Sequence, residues 1–193
     1  MSSGPDSQLL RHRGERWGPA AQSAAYSQLS ASLLAVSSLR DIAEAGAEYL
    51  RELLKARTVS IIALRDEKYF DVVNVGCIPH DLVRYPANIG YPTWEYPLAT
   101  KELERFGGYF TTSTDDPRFI EYVRVRDDPE VTSIMGVGLI HGVQLWGEIF
   151  YTRDGKRRAF DENDMILARD LGTALARRLA MIGSKEDPST VKR

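Results

Sequence analysis

From Tyr26 to Lys55, apolar residues recur at three- and four-residue spacing, through Leu39, Ile42, Ala43, Tyr49, Leu50, Leu53 and Leu54. Arg40, Glu44, Glu48, Arg51 and Glu52 fall mostly on the opposite side, which predicts an amphipathic helix. The period then changes. Thr58 to Leu64 (TVSIIAL) is β-branched and apolar, Arg65-Asp66-Glu67-Lys68 carries turn chemistry, and Tyr69 to Val75 (YFDVVNV) suits a second strand. Gly76 to Pro97 holds four prolines (Pro79, Pro86, Pro92, Pro97) and little periodicity, so it is expected to be a long irregular segment. Leu98 to Phe106 predicts a short helix stopped at Gly107-Gly108, and Tyr109 to Thr112 predicts a strand. Asp115-Asp116-Pro117 can cap a helical turn over Arg118 to Arg126. SIMGVGLI and VQLWGEIFYT flank His141-Gly142 as a hairpin. Phe160 to Asp164 opens a last helix whose stripe is Leu167, Leu171, Leu175, Leu179 and Ile182.

Hairpin links between helical ends favour an antiparallel sheet flanked by helices, an α+β fold of the α/β sandwich kind. The expected organisation is a flexible N-terminal arm (1–25), one domain (26–182) and a flexible C-terminal tail (183–193). The arm is rich in Ser, Gly, Pro and Ala, with a basic knot at Arg11, His12, Arg13 and Arg16 beside Trp17. That knot can be a contact arm or a solvated tail.

Composition narrows this picture. The 193 residues suit one domain with tails, and 25 Lys+Arg against 27 Asp+Glu leave a net charge of −2. That balance supplies no bulk attraction for nucleic acid or an anionic membrane, so neither is expected as a partner. No apolar run approaches the roughly 20 residues of a membrane span, and no apolar signal region follows Met1 to Pro5. The single cysteine, Cys77, forbids an internal disulfide and fits a reducing, cytoplasmic setting.

From about Leu33 to Met181 the chain resembles a GAF domain. The resemblance is carried by the helix before TVSIIAL and its hairpin partner, and by YPTWEYPLATKELERFGGYFTTSTDDPRF in the middle. The closing hairpin SIMGVGLIHGVQLWGEIFYTRDG, with Gly147 after Trp146, and the last helix FDENDMILARDLGTALARRL complete it. It implies a GAF-like six-stranded antiparallel sheet, with the N- and C-terminal helices on one face. Loops and short helices would cover the other face, over a ligand pocket. The resemblance places Trp94, Tyr96, Phe106, Phe110, Phe119 and Tyr122 in the segment that lines this pocket. Aromatics at this density either stack on a planar ligand or fill the core.

Other chemistry is thinner. Lys156, Phe160 and Asp164 repeat the K-x3-F-x3-D part of the signature of cyclic-nucleotide-binding GAF domains. Asp154 stands near its Asn, and Met165 where its Glu belongs, so the match is partial. A bilin-binding relative would need a Cys in a His-adjacent motif that is not found here. The sulfoxide reductase branch needs several cysteines for a disulfide relay, and Cys77 has no basic neighbour in sequence to activate it. Among His12, His80 and His141, only His80 is a plausible haem ligand, and it reads first as a loop residue. Gly136 and Gly138 read as close packing or a bulge. No metal, cofactor or catalytic residue is assigned. The expectation is a stand-alone, non-enzymatic sensory or regulatory protein that binds a small molecule or signals through a protein partner. It would pair as a homodimer through terminal helices whose apolar stripes (Leu29, Leu33, Leu34, Val36; Leu179, Met181, Ile182) exceed one domain's needs. The alternatives are a protein-interaction module with a side-chain-filled pocket, and a GAF-related redox enzyme.

Overall fold

A computed structural model describes residues 17–76, 90–125 and 128–183. The elements run α1 (Pro19–Leu34), α2 (Leu39–Leu54), β1 (Thr58–Arg65), β2 (Lys68–Gly76), β3 (Tyr91–Pro92), a 3-10 turn (Thr93–Glu95), α3 (Pro97–Phe106), β4 (Gly108–Phe110), α4 (Pro117–Val125), β5 (Val131–His141), β6 (Gln144–Asp154) and α5 (Glu162–Gly183). The six strands form one sheet in the order β3-β2-β1-β6-β5-β4, and every neighbouring pair is antiparallel. Helices α1, α2 and α5 cover one face, while α3 packs on β4 and β5 beside α4.

The helical pattern of the N-terminal third is two helices rather than one. Ser38 caps α2 by accepting from the Asp41 amide at 3.1 Å, which breaks the run at Ala35–Ser38. The first helix begins at Pro19, inside the stretch expected as an arm, because Pro suits a first helical position and the Ala-rich turn after it propagates well. Leu29 and Leu33 are buried with α2 and α5, as is Leu179. The apolar stripes thought excessive are therefore mostly used within the chain; Leu34 and Met181 remain exposed. Within Gly76 to Pro97, β3 pairs with β2 through Tyr69 opposite Tyr91, and the turn follows it. Cys77, His80, the basic knot at Arg11 to Arg16 and the tail after Gly183 lie outside the described residues.

Strand alternation divides the sheet's side chains between two cores. Val59, Ile61, Met135, Val137, Ile149 and Tyr151 face the terminal helices. Ile62, Ile134 and Phe150 face the other way. On β2 the alternation is interrupted. The register with β1 passes from Ile61↔Val73 to Ile62↔Asp71, leaving Val72 as a bulge. Val73 and Val75 consequently face the helices while Tyr69, at the same parity, joins the opposite core. Gly147 is obligatory for a different reason: any Cβ there would drive into the Ile62 carbonyl oxygen on β1.

Two residues of the K-F-D spacing, Phe160 and Asp164, have a structural role on the helix face. Asp164 is fully buried and accepts from Arg153 Nη1 at 2.8 Å, from Arg158 Nη2 at 2.9 Å and from the Trp17 indole at 3.2 Å. Arg153 lies 4.0 Å over the Phe160 ring and also donates to the Leu54 carbonyl that ends α2. Lys156 stays exposed and takes no part in this network. Removing one member of a buried charge pair leaves the other uncompensated, at a cost of about 3–5 kcal/mol. Asp164→Asn is therefore expected to lower urea-unfolding stability by that order, with Lys156→Ala leaving the midpoint in place. Equal midpoints for the two variants would contradict this assignment.

Candidate functional site

The face away from the terminal helices is roofed by α3 and α4, and these two are locked together at a helix start. Pro97 and Leu98 open α3 without a side-chain cap of their own. Glu121 of α4 supplies one instead, accepting from the Leu98 amide at 3.0 Å and the Ala99 amide at 3.2 Å. A carboxylate at this position satisfies orphan amides and meets the positive end of the helix dipole. Gly107, at φ 72°, then ends α3 in the left-handed conformation and leads directly into β4.

Under this roof lies a crevice lined by Tyr69, Tyr91, Tyr96, Tyr109, Tyr122 and Phe150, with Ile62, Ala99 and Ile134 completing its apolar wall. Tyr69, Tyr91 and Tyr96 form a triangle with ring centroids 5.7–6.3 Å apart, and Tyr122 stacks on Phe150 at 5.4 Å. The hydroxyls are tied into the wall: Tyr69 to Thr100 at 2.9 Å, Tyr91 to Asp71 at 2.8 Å, and Tyr109 to Glu148 Oε1 at 2.9 Å. Glu148 lines the crevice at 5% exposure. Arg118 stands on its border, donating to both oxygens of Asp116 at 2.9 and 2.6 Å. The remaining cavity is about 20 Å³, room for a water or two.

The six aromatics selected from sequence separate in space. Tyr96 and Tyr122 line the crevice, and Phe119 packs against Tyr122 at 5.9 Å behind it. Trp94 is 73% exposed and Phe106 52% exposed, both outside. Phe110 packs against the helix-side core, and with Phe106 borders a more open groove of about 480 Å³ instead. Sequence reasoning missed Tyr69, Tyr91, Tyr109, Phe150, Arg118 and Glu148. One signal was available: Glu148 is the lone charge in the apolar run VQLWGEIFYT, and a charge there must face something specific.

A family model described as "GAF domain" matches residues 38–179, which is most of the chain. The chain belongs to the GAF domain family. No curated protein matches the sequence. Among solved structures, the GAF domain of a phosphoenolpyruvate-protein phosphotransferase from Coxiella burnetii is 17% identical, covering 85% of this chain and 95% of that one, with a TM-score of 0.68. The GAF domain/HD domain protein of Geobacter sulfurreducens is 16% identical, covering 79% and 98%, at 0.63. A third, the far-red absorbing dark state of JSC1_58120g3 with bound biliverdin IXa, is 14% identical, covering 82% and 98%, at 0.66. At these identities the likeness is one of fold.

Within this GAF domain the crevice phenols are strongly perturbed. Burial, followed by the negative charge of Glu148, holds the Tyr69 and Tyr109 hydroxyls well above the usual tyrosine value. Burial alone raises Tyr151 on the helix face. A raised folded pKa means that these groups contribute their full stability below about pH 10, the unfolded value, and lose it as pH rises toward the folded one. In an absorbance titration at 295 nm, Tyr69, Tyr109 and Tyr151 are expected to stay protonated in the folded protein at pH 11 and to ionise only on unfolding. Replacing each in turn by Phe identifies its share. Ionisation of all three near pH 10 with the fold intact would contradict the burial described here.

Proposed function

We propose that this GAF domain is a non-enzymatic sensory or regulatory module, acting in the cytoplasm, whose ligand site is the tyrosine-lined crevice. The observation that carries the reading is a buried carboxylate, Glu148, lining an aromatic crevice under a roof of two short helices. Apolar walls with a few placed polar groups are the usual make-up of a small-molecule site. Tyr96 and Tyr122 are the stacking residues of that site, Phe119 supports Tyr122, and Trp94 and Phe106 are left for surface contacts. The three hydroxyls bonded into the wall orient rings rather than assemble a nucleophile with its base, which favours binding over catalysis.

Strand β6 provides the route out of the site. Glu148 and Phe150 face the crevice, while Ile149, Tyr151 and Arg153 alternate onto the terminal helices. A ligand that binds one strand position better than another would shift the helices by that difference in affinity. Those helices would pass the change to a protein partner or to a second copy, through exposed Leu34 and Met181. The biliverdin in JSC1_58120g3 is one example of what such a fold can hold, although the present cavity of about 20 Å³ takes nothing so large without opening. That small volume favours one second reading, an interaction module whose pocket is filled by its own side chains.

A thermal-shift screen of metabolites separates the two. The sensory reading predicts at least one compound that raises Tm in step with the logarithm of its concentration above Kd, by about 2.7 kcal/mol of stabilisation at a hundredfold excess over Kd. Tyr122→Ala is expected to abolish that rise. Sedimentation of the same samples is expected to show a dimer whose association changes with ligand. A blank screen, with Tm unmoved throughout, would replace the sensory reading with the interaction module.

A further inference from the structure

We propose that the free edge of β4 takes an extended segment of a partner protein, alternating acidic and apolar residues, as an added strand. This edge is distinct from the crevice, although Tyr109 and Arg118 border both.

Strand β4 ends the sheet and is paired on one side only, with β5. The Gly138 amide donates to the Gly107 carbonyl at 3.0 Å, and the Thr111 amide to the Ile134 carbonyl at 2.9 Å. Tyr109 lies opposite Gly136 in the same register, so Gly107, Tyr109 and Thr111 turn their backbone groups to β5. Gly108 and Phe110, which alternate with them, turn their N–H and C=O outward. The described residues make no hydrogen bond to these outward groups, although Gly108 is buried. Backbone donors and acceptors in such a position need a partner. An extended chain laid along the edge supplies one to each.

The walls decide what can enter. The outward edge is the floor of the groove of about 480 Å³, with Phe106 and Glu102 of α3 on one side and Met165 and Arg169 of α5 on the other. An edge recessed between two helices cannot meet the same edge of a second copy at the roughly 4.8 Å of strand pairing, whereas a single strand fits between them. Phe106, at 52% exposure, offers an apolar contact to the side chains that face α3.

Charge selects among strands. Both acids of the groove are drawn to Arg118 toward its Thr112 end: Asp116 accepts from it at 2.6 Å, and Glu102 approaches it at 4.0 Å. At the other end Arg169 lies beside Gly107 and forms no ion pair among the described residues. Arg105, 4.9 Å from the centre of the Phe106 ring, adds a second cation there. A carboxylate on the side of the strand that faces α5 complements this end.

The probe is a blocked hexapeptide of three Val-Glu repeats, titrated into the intact chain and followed by amide NMR. It is expected to shift the Gly108 and Phe110 amides and to slow their hydrogen exchange, as a new ladder requires. Val-Thr repeats are expected to bind about fivefold more weakly, and Val-Lys repeats more weakly still. Arg169→Gln is expected to bring the glutamate peptide down to the threonine one, and Phe106→Ser to weaken both. N-methylation of one alternate set of peptide amides is expected to abolish binding and of the other set to spare it, because only one set faces β4. Equal effects of the two sets, or equal binding of a peptide with its valines and glutamates in separate blocks, would overturn strand addition. Equal affinity for the glutamate, threonine and lysine peptides would overturn the acidic partner. Edge amides left unmoved by the glutamate peptide would overturn both. Gly108 and Phe110 amides already protected in the free chain would also overturn the proposal, in favour of a second copy if dilution releases them and of the chain's own segment if it does not.

Discussion

A guanidinium enclosed by protein has to find acceptors within its reach, and Arg153 finds them on two separate pieces of the chain. Its hydrogen bonds run to Asp164 near the start of α5 and to the Leu54 carbonyl at the end of α2, with Phe160 beneath the charged plane. Asp164 in turn holds the Trp17 indole just ahead of α1. The three helices of one face are thereby registered on a single strand, β6. Apolar burial supplies the driving force of that layer but is indifferent to direction; the charge pair fixes where each helix begins and ends.

The same strand carries the opposite chemistry on its other side. Alternation puts Glu148 and Phe150 toward the crevice and Arg153 toward the helices. Two glycines make the arrangement fit, Gly147 by letting β1 come close and Gly136 by yielding its side-chain space to Glu148 and Tyr109. The Val72 bulge does the corresponding work on β2, turning Tyr69 into the crevice without taking Val73 and Val75 out of the helix-side core. Strand β6 thus carries a guanidinium bound to the helix ends on one face and a buried carboxylate at the crevice on the other.

Much of the fold was legible because period and turn chemistry are local properties. The hairpins, the helix stopped at Gly107, the Pro117 helix start and the Leu167–Leu179 stripe all follow from residues a few positions apart. The break at Ser38 was hidden because the apolar rhythm runs on through it, and the start of α1 because Ala-rich sequence has no amphipathic signature. The crevice was less legible. Aromatic density pointed to the right segment, yet it carries no direction: Trp94 and Phe106 face solvent, and Phe110 faces the other core. Tyr69 escaped notice because its face depends on a bulge that only pairing with β1 reveals. Of the K-F-D residues, Phe160 and Asp164 meet Arg153, a residue outside the motif, and Lys156 stays at the surface.

The central claim is that the tyrosine crevice is a site organised by Glu148 rather than leftover packing space. A crystal structure grown with a compound that raises Tm tests it most directly. The account predicts that compound bound between the Tyr96 and Tyr122 rings, with the hydrogen bond from the Tyr109 hydroxyl to Glu148 retained. A crevice closed by its own rings, with the compound bound elsewhere on the surface, would contradict it.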